Sequence, residues 1–569
     1  MNEIMKQLNL KSMTLIEKGW SCDKKYSVVT NDDKKYLLRI TPFDKSGSRK
    51  ALFDILGEVS KLHIPMCKPV DFGECNQGVY TLHTWIDGVD AEEIIPLLSE
   101  TQQYVLGVQA GEILKKIHTI PAPENQEQWY TKFKRKTEYK ITKYLECPIQ
   151  FEGGDKVIDY INKNFDLLKN RPQCFQHGDY HIGNMMMKED ELYIIDFDRF
   201  DFGDPWEEFN RIVWCAQSAP YFATGMVDGY FNKNVSMEFW KLLALYIGSN
   251  TLSSIYWAIS FGQSDLDVML NQAKDVLNWY DNMEKVVPKW YIKDFYIQYT
   301  DGVPYKLKSY FDFSFLSKYG KVFKVFDDQD SGNICFGVEK ENKKYFVKFA
   351  GAPTERSEIS ADEAVVNLKN TVHIYKDLAH ESLIKYICDE EIGDGYAVVF
   401  EWVNAECMGR MYPLSRKKFM SMDIKEKIKV FEDVLIFHKH IANNNYVAID
   451  FYDGSVMYDF ENFKTILCDI DFYAKTPYIN QIGRMWGSSK MMSPEEFTKG
   501  NIIDEITNVY TIGAFAFALF SDYDRTKEKW NLPDKLYDVI IKAVSNDRNK
   551  RQQSIEELIN NWNDAKLLM

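Results

Sequence analysis

The 569-residue chain lacks a long apolar run, a cysteine pair at metal-binding spacing and a complete glycine-rich phosphate loop. Each absence removes a class of protein. The longest apolar stretches, such as Ile512–Phe520, are too short to span a bilayer. The opening MNEIMKQLNLK has no cleavable-signal pattern, so a cytoplasmic location is expected. The ten cysteines are scattered and form no C-x-x-C, which reads as reduced, mostly buried thiols. The nine histidines show no zinc-ligand spacing. Positive charge is in deficit: 69 Lys and Arg stand against 84 Asp and Glu, a net charge of −15. That balance argues against nucleic acid or an anionic membrane as the main partner. No low-complexity linker is visible, yet the length exceeds one ordinary core, so two or more domains are expected. What the chain does have is 45% hydrophobic and 15% aromatic residues, enough for large buried cores.

The most informative stretch is Gln176–Phe209, QHGDYHIGNMMMKEDELYIIDFDRFDFGDPWEEF. Met185–Met187, the polar turn Lys188–Glu191 and Leu192–Ile195 read as strand, turn, strand. Such a hairpin carries its two flanking loops at one end and brings Asp179 and Asn184 near Asp196. Phosphoryl transfer needs that arrangement: one carboxylate orients the attacking hydroxyl, while a carboxamide and a second carboxylate hold Mg²⁺ against the phosphates.

H-G-D-x-x-x-x-N (His177–Asn184), then I-D-F-D (Ile195–Asp198) and G-D-P (Gly203–Pro205), resembles the signature of the aminoglycoside phosphotransferase and choline kinase superfamily. That resemblance implies Asp179 as catalytic base, Asn184 and Asp196 as metal ligands, and ATP and Mg²⁺ as cofactors. His177 is read as bracing the loop.

The order of elements repeats along the chain. Each half has a short strand carrying a cation: Tyr36–Ile40 with Arg39, and Tyr345–Phe349 with Lys348. In kinase-like folds that strand offers a cation to the phosphates and to a helix glutamate. Glu58 suits the glutamate in the first half. In the second, Glu363 is the nearest candidate and needs a longer helix. Tyr80–Asp87 and Ala397–Val403 are candidate hinges, where adenine would bond to backbone groups. A helix follows each hinge. Tyr104, Val105, Val108, Ile113, Leu114 and Ile117 share one helical face, as do Val430, Phe431, Val434, Leu435, Phe437, His438 and Ile441. Asn443–Asn445 suits a helix stop.

The second half resembles a eukaryotic-like serine/threonine protein kinase with departures. VAIDFYDGSVMY (Val447–Tyr458) matches the catalytic loop, with Asp450 at the aspartate, Ala448 and Ile449 replacing His and Arg, and Ser455 replacing the metal-binding Asn. CDIDF (Cys468–Phe472) matches the D-F-G region without its glycine. Asp469 is preferred as metal ligand by strand spacing, with Asp471 second. Ser493–Glu495 resembles the A-P-E segment, Asn508 stands where the following helix usually has Asp, and Arg551 is expected to pair with Glu495. Neither half has a G-x-G-x-x-G. Gly19–Tyr26, through Ser21, Lys24 and Lys25, and Asp328–Gly337 take its place.

The expected fold is α+β: two tandem protein-kinase-like folds, each with a small β-rich lobe and a larger helical lobe, at about 1–298 and 299–569. The expected function is ATP- and Mg²⁺-dependent transfer of the γ-phosphate to a hydroxyl, most simply of an aminoglycoside-like small molecule, through the first domain. Two alternatives stay open: a serine/threonine protein kinase with an accessory first domain, and a nucleotide-sensing pseudokinase scaffold. Glu207, Glu208, Asp228 and Asp265 are acids that could face a cationic sugar. Trp206, Trp214, Tyr221, Tyr230, Trp240 and Trp257 either line a pocket or pack the core. The acceptor is open among an aminoglycoside, a macrolide, a small amino alcohol and a protein hydroxyl.

Overall fold

The computed structural model describes residues 2–17 and 23–567. The chain divides into two compact units, Met1–Asp294 and Phe295–Met569. Gly19–Cys22, including Ser21 of the first phosphate-loop reading, lie outside the described residues.

In the first unit, β1 (Leu10–Ile16), β2 (Lys24–Thr30), β3 (Lys35–Thr41), β4 (Pro69–Cys75) and β5 (Gly78–Thr84) form an antiparallel sheet of order β1-β2-β3-β5-β4. Side chains alternate between its faces. Tyr26, Val28, Leu38, Ile40, Tyr80 and Leu82 pack together on one face. The other carries Lys25 and Ser27 opposite Arg39 and Leu37, with Thr81 and His83 alongside. Helix α1 (Ser46–Ser60) joins β3 to β4 and buries Leu52, Leu56 and Val59.

The helical lobe begins with α2 (Glu100–Ile117). Ser99 and Gln102 form a capping box at its start, and Lys115 and Lys116 lie in its last turn. Tyr104, Ile113, Leu114 and Ile117 are buried as the period predicts; Leu106 and Ala110 join them, while Val105 and Val108 are half-buried. The hairpin of the quoted motif follows as β6 (Met185–Lys188) and β7 (Glu191–Ile194). Its turn is tighter than the sequence suggests, only Glu189 and Asp190 outside the strands, with Glu189 at φ 56°.

Helix α3 (Pro220–Phe231) crosses α2 at backbone contact. Gly107 and Gly111 of α2 meet Gly225 and Gly229 of α3, and a Cβ at Gly107 would lie 2.1 Å from the Phe222 carbonyl oxygen. Helix α4 (Met237–Ile259) is long and apolar enough to cross a membrane. Here Phe239, Trp240 and Leu242–Ile247 are packed inside the lobe.

The second unit repeats this order. After a hairpin at 296–307, β8 (Lys321–Phe326), β9 (Asn333–Lys340), β10 (Lys343–Ala350), β11 (Tyr386–Ile392) and β12 (Gly395–Glu401) form a sheet of order β8-β9-β10-β12-β11. Helix α5 (Ala361–Asp377) lies between β10 and β11. Helix α6 (Ile424–Asn443), capped by Asp423, buries all seven apolar-face residues expected of it. The hairpin β13 (Val456–Asp459) and β14 (Lys464–Leu467) and the buried α7 (Glu505–Ser521) complete the lobe. Both units are therefore α+β, with a small sheet lobe and a larger helical lobe.

Candidate active site

The first site is built where the Arg39 face of the sheet meets the hairpin. The Arg39 guanidinium hydrogen-bonds Asp198, and its Nη2 lies 3.7 Å from Asp196 Oδ1. Arg49, from α1, donates to Asp198 Oδ1 at 2.7 Å and also bonds Asp23. Lys25 Nζ approaches Asp196 Oδ2 at 3.8 Å. Burial acts to raise the Asp198 carboxyl, but the Arg39 and Arg49 charges override it and hold it below the usual range.

Asp196 begins the second loop in a left-handed conformation, φ 62° and ψ 63°. Its Oδ1 is buried and has no hydrogen-bond partner. A buried carboxylate oxygen in that condition is costly unless another group completes it. It is the donor type a hard divalent cation takes.

The loop from His177 to Asn184 is held from beneath. Gly178 has φ 85°, and a Cβ there would sit 1.8 Å from the Arg199 carbonyl oxygen, so only glycine fits. Its N–H donates to the buried Glu208 carboxylate at 2.9 Å. His177 is fully buried, with Nε2 2.9 Å from the Ile195 carbonyl; it braces the two loops together, as expected. Asn184 Nδ2 donates to the Asp179 carbonyl at 2.8 Å, which turns the carboxamide oxygen the other way.

Asp179 itself has three cationic or titratable neighbours: Arg211 Nε at 3.1 Å, and Arg199 Nε and His181 Nε2 at 3.7 Å. Burial pushes its carboxyl up, but the His181 hydrogen bond and the Arg211 and Arg199 charges win and hold it well below the ordinary range. Asp179 is an ionised acceptor at any working pH.

The same frame recurs in the second unit. Lys348 Nζ bonds Asp471 Oδ2 at 2.5 Å and lies 3.5 Å from Asp469 Oδ1. Asp450 and Asp469 share the left-handed conformation of Asp196, at φ 62° and 56°. Asp471 is taken up by Lys348 and by the Tyr375 hydroxyl at 2.8 Å, whereas the Asp469 side chain keeps 41% of its surface. Asp469 is thus the more open of the two acids. Asp450 has an environment opposite to that of Asp179: burial and then the Asp469 charge push it up to about 8.

Three sequence expectations are corrected. Glu58 does not reach Arg39; it is exposed on the solvent side of α1 and pairs with Lys61 Nζ at 2.7 Å, because the buried phase of that helix runs through Leu52, Leu56 and Val59. Glu363 sits in the first turn of α5, donating its N–H to the Ser360 cap, and not beside Lys348. Ser455 has no exposed surface, and its Oγ accepts the Tyr452 N–H at 3.4 Å to close its own turn. The Tyr452 hydroxyl instead faces Asp469 Oδ2 at 3.3 Å.

Four residues escaped sequence reading: Asp23, Arg49, Asp198 and Arg211. Only Asp198 left a signal, lying two positions after Asp196 in the quoted motif.

The acids and aromatics after the hairpin mostly build the lobe. Glu208 braces Gly178, and Asp228 accepts from the Tyr104 and Tyr291 hydroxyls. Trp240, Tyr221 and Tyr230 are core, Trp206 covers the Arg171 guanidinium at 3.7 Å, and only Trp257 is exposed, at 41%. Asp204 of the G-D-P segment is fully buried and takes both ends of the Arg171 fork. In the second unit Arg551 grips Glu495 bidentately at 2.7 and 3.0 Å, and Asn508 brackets the Ala448 N–H and carbonyl.

The two clefts differ in what covers the sheet beside the cation. In the first unit the register sets Ser27 and His83 on either side of Leu37, two residues from Arg39. In the second, Gly337 and Phe400 flank Phe346, two residues from Lys348. The Trp402 ring lies over Gly337, where a Cβ would meet both it and Phe323 within 3 Å. Its centroid is 4.9 Å from that of Phe323, and 6.3 and 6.4 Å from those of Phe326 and Phe346. The indole N–H is tied to Asn404 at 2.8 Å.

Comparison with known proteins gives one family match and several similar solved structures. Residues 12–242 match the phosphotransferase enzyme family. Similar solved structures include an ADP-bound aminoglycoside phosphotransferase APH(2'')-Ib, at 16% identity over 51% of this chain and 98% of that one, TM-score 0.37. A gentamicin complex of APH(2'')-IIa matches at 17% identity over 48% and 93%, TM-score 0.36. APH(4)-Ia matches at 13% identity over 48% and 96%, TM-score 0.39. The family match, over less than half of the chain, points to a phosphotransferase of the kinase type in the first unit.

Proposed function

We propose that the first unit moves the γ-phosphate of ATP to a hydroxyl of a small, aminoglycoside-like molecule, and that the second unit does not turn over. The observation that carries the first part is Asp196 Oδ1, buried without a hydrogen bond 3.7 Å from Arg39 Nη2, while Lys25 approaches the other oxygen of the same carboxylate. Asn184 and Asp196 would hold Mg²⁺, which when bound neutralises phosphate charge and aligns the phosphates. Arg39 and Lys25 supply further positive charge to the phosphate oxygens. Asp179 accepts the hydrogen bond of the acceptor hydroxyl, aims its oxygen at phosphorus and takes the proton as the new O–P bond forms and the bond to the ADP oxygen breaks. A carboxylate held this acidic is a weak base, so its work is mostly orientation, which suits a loose phosphoryl transition state.

In the second unit the observation is the ring packing. A nucleotide with its phosphates at Lys348 must lay its base along the same sheet face toward the link at Trp402. Phe346, Phe323, Phe326 and Trp402 already fill that face. The buried Ser455 supports the same reading.

The test is transfer of labelled γ-phosphate to a panel of aminoglycosides, macrolides and amino alcohols, and to a generic serine/threonine protein. Asp179→Asn is expected to cut transfer by roughly a hundredfold or more, and Asp450→Asn to leave it intact. Protein phosphorylation that disappears with Asp450→Asn alone would overturn both parts.

A further inference from the structure

The cation on the third strand of a kinase-like sheet is ordinarily neutralised by an acid on the neighbouring helix, and neither unit is built that way. In the first, the acid bonded to Arg39 is Asp198, two residues after Asp196 on the hairpin loop. The helix contributes the opposite charge: Arg49 donates to the same Asp198 oxygen at 2.7 Å and reaches Asp23 with its other nitrogen. In the second, the acid bonded to Lys348 is Asp471, likewise two residues after Asp469, and helix α5 supplies another donor, the Tyr375 hydroxyl, at 2.8 Å. The same inversion is present in both units, with different donors. Helix position is tied to the loop acid, and in the first unit also to Asp23, and reaches the strand cation through these acids.

Arg49 is at the buried end of its helix face. Its side chain is 13% exposed, that of Arg39 11%, of Asp198 19% and of Asp23 1%. Two guanidiniums and two carboxylates form a nearly closed square, with Arg39 Nε 3.8 Å from Asp23 Oδ2 on the fourth side. Outside it lies Arg39 Nη2, 3.7 Å from the Asp196 oxygen that has no hydrogen bond. With Arg49 present, Asp198 shares its charge between two cations. Without it, Asp198 is left with Arg39 as its one cation, and a carboxylate with a single guanidinium draws it into a two-pronged pair. Nη2 would then be withdrawn from the phosphate side.

We propose that Arg49 is a positioning residue for nucleotide phosphates in the first unit: it occupies Asp198 and Asp23 so that Arg39 keeps one guanidinium edge for the triphosphate. This rests on the reading of the first unit as an ATP-dependent phosphotransferase.

The test is calorimetric titration of the full chain with magnesium AMP-PNP, alongside melting temperatures without nucleotide. Binding lost in Asp196→Asn defines the first site. Arg49→Met is expected to weaken that binding about tenfold or more, the scale of one charge-assisted contact. Asp198→Asn removes the competitor for Arg39, so Arg49→Met/Asp198→Asn is expected to bind no more weakly than Asp198→Asn alone. A purely structural role would lower the melting temperature of Arg49→Met, leave its affinity within twofold of the parent and make the two substitutions multiplicative; that result overturns the proposal. Should Arg49→Met melt below the titration temperature, Arg49→Lys carries the test: one ammonium cannot bridge both acids, so it is expected to fall between parent and Met. Wild-type affinity in Arg49→Lys overturns the proposal. Unchanged binding in Asp196→Asn would instead sink the underlying phosphotransferase reading, and this inference with it.

Discussion

At the scale of single residues, environment and not residue type separates Asp179 from Asp450. Both stand five positions before the place where the motif has its Asn, filled by Asn184 in one unit and Ser455 in the other. One faces Arg211, Arg199 and His181; the other faces acids. The motif is legible in sequence because its spacing is local. The charges that tune it come from positions such as 211 and 49, which nothing in the string ties to 179 or 39. His438 gives a test of the same kind in the second unit. It is buried in α6, with Nδ1 2.8 Å from the Val434 carbonyl, and burial lowers it to about 4. The neutral ring is the folded form, so the unfolded chain binds the extra proton first as pH falls. Stability from this group is complete above about 6.5 and is lost as pH drops toward 4, by of order 2–3 kcal/mol. Asp450 and Glu496, both pushed up by burial, act in the opposite direction over nearby pH. The difference between wild type and His438→Leu isolates the histidine. Urea unfolding of the second unit at pH 7 and pH 5 is expected to show a smaller loss for His438→Leu, and equal losses would refute the assignment.

At the scale of elements, the helix-face reading succeeded where packing is ordinary and missed where backbones touch. The α6 face was complete in the sequence. In α2 the expected Val105 and Val108 are half-buried, because Gly107 and Gly111 let α3 approach on a face the apolar pattern does not mark. Glycine carries no hydropathy signal, so a crossing made of glycines is invisible to periodicity. Gly111→Leu would drive a side chain into the Met226 carbonyl, 2.1 Å from the new Cβ. The expected cost is about 3 kcal/mol or more, seen as a fall in the first unit's melting temperature. Gly47, with nothing within 4 Å of a Cβ, is the control, and Gly47→Ala is expected to be nearly neutral. Glu58 failed for a related reason: the helix was legible, but its rotational phase against the sheet was set by Leu52, Leu56 and Val59.

At the scale of the whole molecule, the repeat was legible because strand, hinge, helix and loop recur in one order. The sheets bear this out in identical strand order. What the order could not reveal is the use of each copy, which depends on side chains that fill or leave open the face beside the cation. Leu37 and Ser27 in one unit stand where Phe346 and Gly337 stand in the other, with Trp402 laid across the glycine. Calorimetry is therefore expected to give one nucleotide per chain. Phe346→Ala/Trp402→Ala is expected to raise the number toward two if the rings alone bar the base. A count of two in the parent chain would show that the rings move aside.

A duplicated strand order also has a consequence for how the chain reaches this state. Two sheets of the same plan within one polypeptide offer each other's strands as substitutes, a recognised route to misassembly in multidomain chains. The third strands have diverged to KYLLRIT and KKYFVKFA, so a strand in the wrong sheet would carry the wrong side chains into the core. Synthesis order gives further protection. The first unit is contiguous and ends at Asp294, so it can close as the ribosome begins to deliver the second, and no strand of one sheet has to wait for a partner encoded beyond the other.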